Sequence, residues 1–216
     1  ISACLVGSEM CIRDRNKALL KIDKIYLTRN DISIISNFSL DIFSSTVTNI
    51  YGRNGSGKTS LLKILVGITE PSSGSIINNA QVSDEKNITY VGHKYGIKSN
   101  LTVNENLQYE PIMNKNKQAT INNMITKFHM DEYKNYLTKY LSHGQQKKVS
   151  LIRASISDAK IWVIDEPYSA LDKEAISMLD NCIIEHLKHD GVVIMTNHEA
   201  IDNKDFKVSN IKIDDE

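Results

Sequence analysis

Apolar and polar positions change period several times along this chain, and each change marks an element. From Lys21 to Phe43 short β-prone runs (Ile22 to Leu27, Ile32 to Ile35, Phe38 to Phe43) are separated by Arg29-Asn30-Asp31 and Ser36-Asn37, as in an antiparallel layer. Val47 to Tyr51 is a short apolar run ending at Gly52, and Thr59 to Val66 reads as a helix closed by Gly67. Pro71-Ser72-Ser73-Gly74 is a turn, Ser75 to Ile77 a strand, and Ile88 to Val91 a β-branched run that stops at Gly92. Thr102-Val103-Asn104-Glu105 has capping-box spacing, so a helix starts near residue 103. From there to Leu141 the chain is polar and helical, with Ile121, Met124, Ile125 and Phe128 forming one apolar stripe. A further helix follows Leu141 with Val149, Ile152 and Ile156 inward, so residues 103–157 read as an inserted α-helical subdomain.

After the subdomain the α/β pattern resumes. Ile161 to Ile164 is a continuous apolar run of strand length, Asp172 to His189 a helix with Ile176, Leu179, Ile183 and Leu187 on one face, and Val192 to Met195 the next strand. Lys207 to Asp214 alternates Val208, Ile211 and Ile213 with polar residues, as an edge strand would. Strands alternating with helices imply a mainly parallel sheet core, here an α/β fold with an added antiparallel β layer.

Composition narrows the class. At 216 residues and 41% apolar content the chain can bury one large core. Lys plus Arg equals Asp plus Glu at 26 each, so no global field draws nucleic acid or an acidic membrane. No apolar run approaches the ~20 residues that span a bilayer, so any membrane role passes through a partner. Residues 1–15, ending in Met10-Cys11-Ile12-Arg13-Asp14-Arg15, fit neither a secretory signal nor the following strand pattern and are read as a non-native prefix. Setting aside Cys4 and Cys11 leaves Cys182 alone, which excludes a disulfide framework and agrees with a reducing cytoplasm.

Candidate chemistry begins at Gly52-Arg53-Asn54-Gly55-Ser56-Gly57-Lys58-Thr59, followed by Ser60. This is the G-x-x-x-x-G-K-[ST] phosphate loop, in which glycines let backbone N–H groups converge on phosphates without a Cβ in the way. A strand feeds it and a helix leaves it, so the helix N-terminus presents roughly half a positive charge to a polyphosphate. The expected reaction is ATP hydrolysis. Ile161 to Glu166 is a hydrophobic strand ending in two carboxylates, of which Asp165 is expected to hold Mg²⁺, directly or through water, and Glu166 to polarise the attacking water as general base. Leu141-Ser142-His143-Gly144-Gln145-Gln146 opens a helix whose start is a second anion site, with Ser142 as cap or phosphate donor and Gly144 permitting close backbone approach.

Phosphate loop, Leu-Ser-x-Gly-Gln signature, Asp165-Glu166, Ser169-Ala170-Leu171-Asp172 and His198 together resemble the ATP-binding subunits of ABC transporters, P-loop ATPases of ABC type, over residues 17 to 213. The resemblance implies a homodimer in which two copies sandwich ATP head to tail. Lys58 then reaches the β- and γ-phosphates, Thr59 and Asp165 hold Mg²⁺, Glu166 orients water, and His198 senses the γ-phosphate. Ser142, Gly144 and Gln145 would face the ATP of the partner subunit, and Ser169 to Asp172 would communicate across the dimer. It further implies integral membrane transporter subunits as partners and a peripheral place on the cytoplasmic face of the inner membrane.

Departures from the general family are informative. His93 falls where most relatives carry a metal-contacting glutamine, and a histidine there could add pH sensitivity. Gly92-His93, Gly96-Ile97-Lys98, Leu101-Thr102, Glu105-Asn106-Leu107 and Gly144 to Lys148 are similar to the heme-exporter ATP-binding subunits of cytochrome c maturation systems. Heme export is therefore the expected task, with another transported substrate or a soluble non-transport ATPase as alternatives. The short stretch from Lys58 to Ser142 leaves no room for the long coiled coil of the soluble DNA-maintenance class. Where adenine usually stacks on an aromatic, the chain has Arg29, with Tyr26 three residues earlier. Cys182, His186 and His189 share a helix face but lack a fourth ligand, so surface histidines are the expected reading; Lys147, Lys148 and Arg153 read as a basic face, solvated as such faces usually are, with contact to the nucleotide or an acidic partner as the alternative.

Overall fold

The computed structural model describes residues 18–78, 87–109 and 117–213. The prefix, residues 1–15, lies outside the described residues. Strands β1 (Leu20–Arg29), β2 (Ile32–Ile42) and β4 (Ser73–Asn78) form a three-stranded antiparallel sheet in the order β2-β1-β4. The second sheet is wholly parallel, in the order β5 (Ile88–Val91), β6 (Ile161–Asp165), β7 (Val192–Asn197), β3 (Val47–Tyr51), β8 (Val208–Lys212). Helix α1 (Lys58–Leu65) follows β3; α2 (Val103–Gln108), α3 (Lys117–Lys127) and α4 (His143–Ile156) make up the inserted helices; α5 (Lys173–Lys188) joins β6 to β7.

The central strands are buried at nearly every position and mostly apolar because both faces are covered, and their period of two sorts side chains between two cores. Ile50, Ile161, Val163, Val192 and Ile194 face one way, joining Leu61, Leu62 and Leu65 of α1 and Ile22, Ile25 and Ile42 of the antiparallel sheet. Val47, Trp162, Ile164, Val193 and Met195 face the other way, against Phe128 and Ile125 of the inserted helices and Leu179 and Ile183 of α5. The sheet is thus fixed from both sides, with β3 and β6 leading at their C-terminal ends into Gly52 and Glu166.

Three expectations change. Ile32–Ile35 and Phe38–Phe43 merge into the single strand β2, because Ser36-Asn37 is a bulge with Asn37 at φ 51° rather than a turn. Strand β1 bulges too, at Lys24 (φ 48°), where Gly74 of β4 passes so close that a Cβ would meet Lys24 O at 2.1 Å. The tract from 128 to 141 holds two short 3₁₀ turns, Asp131–Tyr133 and Thr138–Tyr140, rather than regular helix. On α5 the inward stripe is Ala175, Leu179, Cys182 and Ile183, rotated from the expected one so that Ile176 is only partly covered. The tail does form an edge strand: β8 pairs with β3, Ile211 opposite Ile50.

His186 and His189 do not converge with Cys182 on one point, and among the described residues no group of three or more His, Cys, Asp or Glu side chains is placed to hold a metal ion. His186 instead stacks on Trp162, ring centroids 4.0 Å apart and 13° from parallel, with Nε2 bonded to Lys160 O at 3.1 Å. Gly191 leaves the room for it, since a Cβ there would stand 2.4 Å from the ring. Desolvation pushes its pKa down to about 4, more than the Lys160 carbonyl raises it. Folded protein therefore resists a proton that the unfolded chain accepts, so this contribution is complete above pH 6.5 and is lost as the pH falls toward 4. A His186→Phe chain keeps the stack and removes the titration. Its melting temperature is expected to fall less than that of the wild-type chain between pH 6.5 and pH 4 by thermal denaturation; equal falls would contradict the assignment.

Candidate functional site

Gly52, directly after β3, must lack a side chain: a Cβ would meet Ile213 O at 2.5 Å. Gly55 (φ 93°) and Gly57 (φ 89°) adopt left-handed backbone, which brings the loop back over the start of α1. No side chain caps α1 and no acidic residue lies in its first turn, so its free N–H groups and dipole face the loop's hollow. Ser56 Oγ is buried there with no hydrogen-bond partner, an orphaned donor of the kind a phosphate oxygen satisfies. Lys58, 6% exposed, curls back so that Nζ donates to Gly52 O and Arg53 O, each at 2.7 Å. Arg53, Asn54 and Gly55 are exposed and Ser60 half-buried.

The parallel register delivers the carboxylates to the same level. Asp165 pairs with Thr196 of β7, and β7 in turn runs beside β3 into the loop. Thr59 Oγ1 donates to Asp165 Oδ2 at 2.9 Å and Thr196 Oγ1 donates to Oδ1 at 2.6 Å, so both carboxylate oxygens are oriented by hydroxyls. Two hard oxygen groups side by side, with space for water and phosphate oxygens, are a donor set that suits Mg²⁺ rather than a thiophilic metal. The residues present fit the ion.

Glu166 has φ 49°, left-handed for a residue that also precedes Pro167. Such backbone costs about 1–3 kcal/mol and persists only where the surroundings over-determine it. Here they do. Its N–H donates to Thr196 Oγ1 at 3.1 Å, and its carbonyl accepts from Ser169 Oγ at 2.9 Å and from Lys147 Nζ at 3.0 Å. The side chain points back to His198, whose Nε2 lies 3.4 Å from Oε1. His198 stands on a loop held by buried Asn49, which accepts from Asn197 Nδ2 at 2.9 Å and donates to Glu199 O at 3.1 Å.

Helix α4 begins at Ser142, whose Oγ accepts from Gln145 N while Gln145 Oε1 accepts from Ser142 N, a complete capping box. Gly144 packs against the Ser169–Asp172 turn, where a Cβ would meet Ala170 O at 2.8 Å, and Lys148 pairs with Asp172 at 3.2 Å. Lys147 is not on a solvated face, contrary to its sequence reading: it is 1% exposed and donates to Asp165 O and Glu166 O, each at 3.0 Å. Desolvation pushes its pKa down to about 8 against the pull of Asp165 and Glu166.

The structure therefore links Thr59, Asp165, Glu166 and His198 in one chain of contacts through Thr196, with Lys58 adjacent in sequence to Thr59. It does not bring the other candidates into that group. Among the described residues no hydrogen bond or ion pair joins the Ser142–Gln145 turn to the phosphate loop. His93 is exposed on the turn after β5, near in level to Asp165 because Val91 pairs with Ile164. Arg29 lies exposed at the tip of the β1–β2 hairpin. Sequence reasoning missed Thr196, Asn49 and Lys147. The first two had a signal, a hydroxyl and an amide inside otherwise apolar strands; Lys147 had none, since its neighbour Lys148 is charged as well.

Comparison with known proteins follows the same lines. The family model described as ABC transporter matches residues 35–169. A cytochrome c biogenesis ATP-binding export protein, CcmA, of Histophilus somni is 32% identical over 203 residues, spanning 90% of this chain and 93% of that protein. The protein of the same name from Shewanella frigidimarina is 31% identical over 196 residues, spanning 88% and 91%. A putative ABC transporter ATP-binding protein of Pyrococcus furiosus superposes with TM-score 0.74 at 25% identity, covering 90% of this chain and 96% of that one. A dimeric ATP-binding cassette in a post-hydrolysis state, bound to ADP and Pi, superposes with TM-score 0.72 at 22% identity, covering 83% and 88%.

Thr196→Val keeps the shape of a fully buried position and removes the hydroxyl that serves both carboxylate residues. Phosphate release from Mg-ATP is expected to fall ~10- to 100-fold, the usual cost of deleting an outer-shell partner. Chemical denaturation should show a loss of about 1–3 kcal/mol from the unpaired groups. A variant as active as the wild-type chain would remove Thr196 from the site.

Proposed function

The chain belongs to the ABC transporter family as an ATP-binding, ATP-hydrolysing subunit, and on that premise we propose that it drives heme export for cytochrome c biogenesis as a homodimer bound to integral membrane subunits. The observation that carries the catalytic part is the chain of contacts that runs from Thr59 through Asp165, Thr196 and Glu166 to His198, beside the buried Lys58. Support for the task comes from the relatives that bear the cytochrome c biogenesis export name along nearly their whole length. Residues 17–213 form the ATPase domain in this reading, with the helical subdomain about 103–157 inserted. Among the described residues no helix is long and apolar enough to cross a membrane. Docking on membrane subunits at the cytoplasmic face of the inner membrane fits that observation.

The mechanism follows from the chain's own groups. A triphosphate entering the hollow offers oxygens to the free N–H groups of α1, to Ser56 Oγ and to Gly55–Ser60 backbone. Lys58 then exchanges its two carbonyls for the β- and γ-phosphates, a gain because a charged donor pairs with charged acceptors. Thr59 and Asp165 would hold Mg²⁺, whose positive charge would offset the charge on the phosphates. Glu166 accepts a proton from the water that adds to the γ-phosphorus as the bond to the β–γ bridging oxygen breaks, and His198 holds that carboxylate in line. Ser142, Gly144 and Gln145 complete the site from the partner subunit, where the N-terminus of α4, with no acidic residue in its first turn, meets the γ-phosphate. His93 lines the nucleotide's edge at the end of β5, where the loop can report occupancy to the membrane subunits.

Glu166→Gln is expected to hold Mg-ATP in a stable dimer on gel filtration and to lower turnover by ~10²-fold or more, whereas Lys58→Ala should bind ATP poorly and stay monomeric. A Glu166→Gln chain that remains monomeric with Mg-ATP would count against the sandwich. Cells carrying Glu166→Gln in place of the wild-type gene are expected to lose covalently bound heme from their c-type cytochromes on heme-stained gels. Undiminished c-type heme would overturn the heme task while leaving ATP hydrolysis intact.

A further inference from the structure

Lys147 is the largest departure from what the pattern of the chain led one to expect. An ammonium group is costly to bury, so a lysine at 1% exposure persists where its head group is required. Among the described residues its head group makes no hydrogen bond to a carboxylate. Two of its three protons go to backbone carbonyls, Asp165 O and Glu166 O at 3.0 Å each, and the ammonium lies 5.5 Å from the centre of the Tyr95 ring. A methionine would fill the same space without desolvating a charge.

The two carbonyls are not ordinary strand ends. The Glu166 carbonyl belongs to the left-handed residue whose carboxylate lies beside His198. Lys147 sits two residues beyond Gln145, on the same helix that opens with Ser142 and Gly144. The helix also grips the loop after β5: Ser150 Oγ donates to Tyr95 O at 2.7 Å and Arg153 donates to Gly96 O. One helix therefore carries the signature turn at its start, the His93-bearing loop along its side, and Glu166 through one buried side chain.

We infer that Lys147 is a positioning residue for hydrolysis, which locks the strained Glu166 backbone and ties the carboxylate's aim to the seating of the signature helix. The inference rests on the reading of Glu166 as the group that takes the water's proton. Movement of α4 when its N-terminus meets the partner's nucleotide would reach Glu166 of the same chain through Nζ, giving each site a means of answering the other.

The test measures steady-state turnover with kcat normalised to sites that bind a fluorescent ATP analogue, so that misfolded protein is not counted. Lys147→Met is expected to lower kcat by ~10-fold or more while KM for Mg-ATP moves less than ~3-fold, the split expected when an interaction acts on the chemical step. Lys147→Arg, which keeps donors within reach of both carbonyls, should recover most of the loss. In a Glu166→Gln background the same Lys147→Met change should alter the residual single-turnover rate by less than ~2-fold, because residues acting through one another are not additive. If Lys147→Met does not fold, Lys147→Gln decides by the same readings. Wild-type kcat in the variant, or an undiminished ~10-fold effect without Glu166, would overturn the inference. A wild-type chain that releases no phosphate would instead sink the catalytic reading on which it rests.

Discussion

Asp165 ends β6 with its two carboxylate oxygens taken by two hydroxyls, Thr59 from the helix after the phosphate loop and Thr196 from the neighbouring strand. That arrangement requires β6, β7 and β3 to end at one level, which in turn requires a parallel register with both faces of the sheet buried. The two hydrophobic cores serve this end. One anchors α1 and the antiparallel sheet against Ile50, Val163 and Ile194, the other anchors α3 to α5 against Trp162, Ile164 and Met195. Moving any one strand by a residue would exchange the two faces and separate the oxygens that now meet within 2.9 Å.

Around this fixed point Glu166, the proposed general base, is held under strain. Glu166 turns left-handed before a proline, and each of its main-chain polar groups is claimed by a different element: Thr196 of β7 takes the N–H, while Ser169 and Lys147 of α4 donate to the carbonyl. A group placed by so many independent contacts loses little freedom on reaching the transition state. The same contacts give α4 a physical route to it. The helix also touches the Tyr95–Gly96 turn, Ala170 and Asp172, so the segments that would face a partner subunit are packed on one rigid element.

Binding energy and specificity lie in different places on this chain. Phosphate recognition uses backbone N–H groups, glycine conformations and a helix dipole, none of which reads a transported solute. What the chain drives is decided by surfaces that meet other subunits, and this is why the relatives' names inform the task more than the hollow does.

The sequence by itself determined the nucleotide chemistry and most of the architecture. The phosphate loop, Asp165-Glu166 and the signature are local strings whose chemistry depends on spacing over a few residues, and the central strands and α4 are strongly periodic. Long-range and conformational facts were not legible there. Ser36-Asn37 is equally good as a turn or as a bulge, and only pairing with β1 made it the latter. The stripe of α5 was rotated by what it packs on, and His186 was drawn inward by Trp162. Thr196, Asn49 and Lys147 act through partners 31, 148 and 19 residues away respectively. Such contacts exist only once the sheet has closed, because hydrogen bonding of a buried polar group is settled by the tertiary neighbours it finds and not by the residues beside it in the chain.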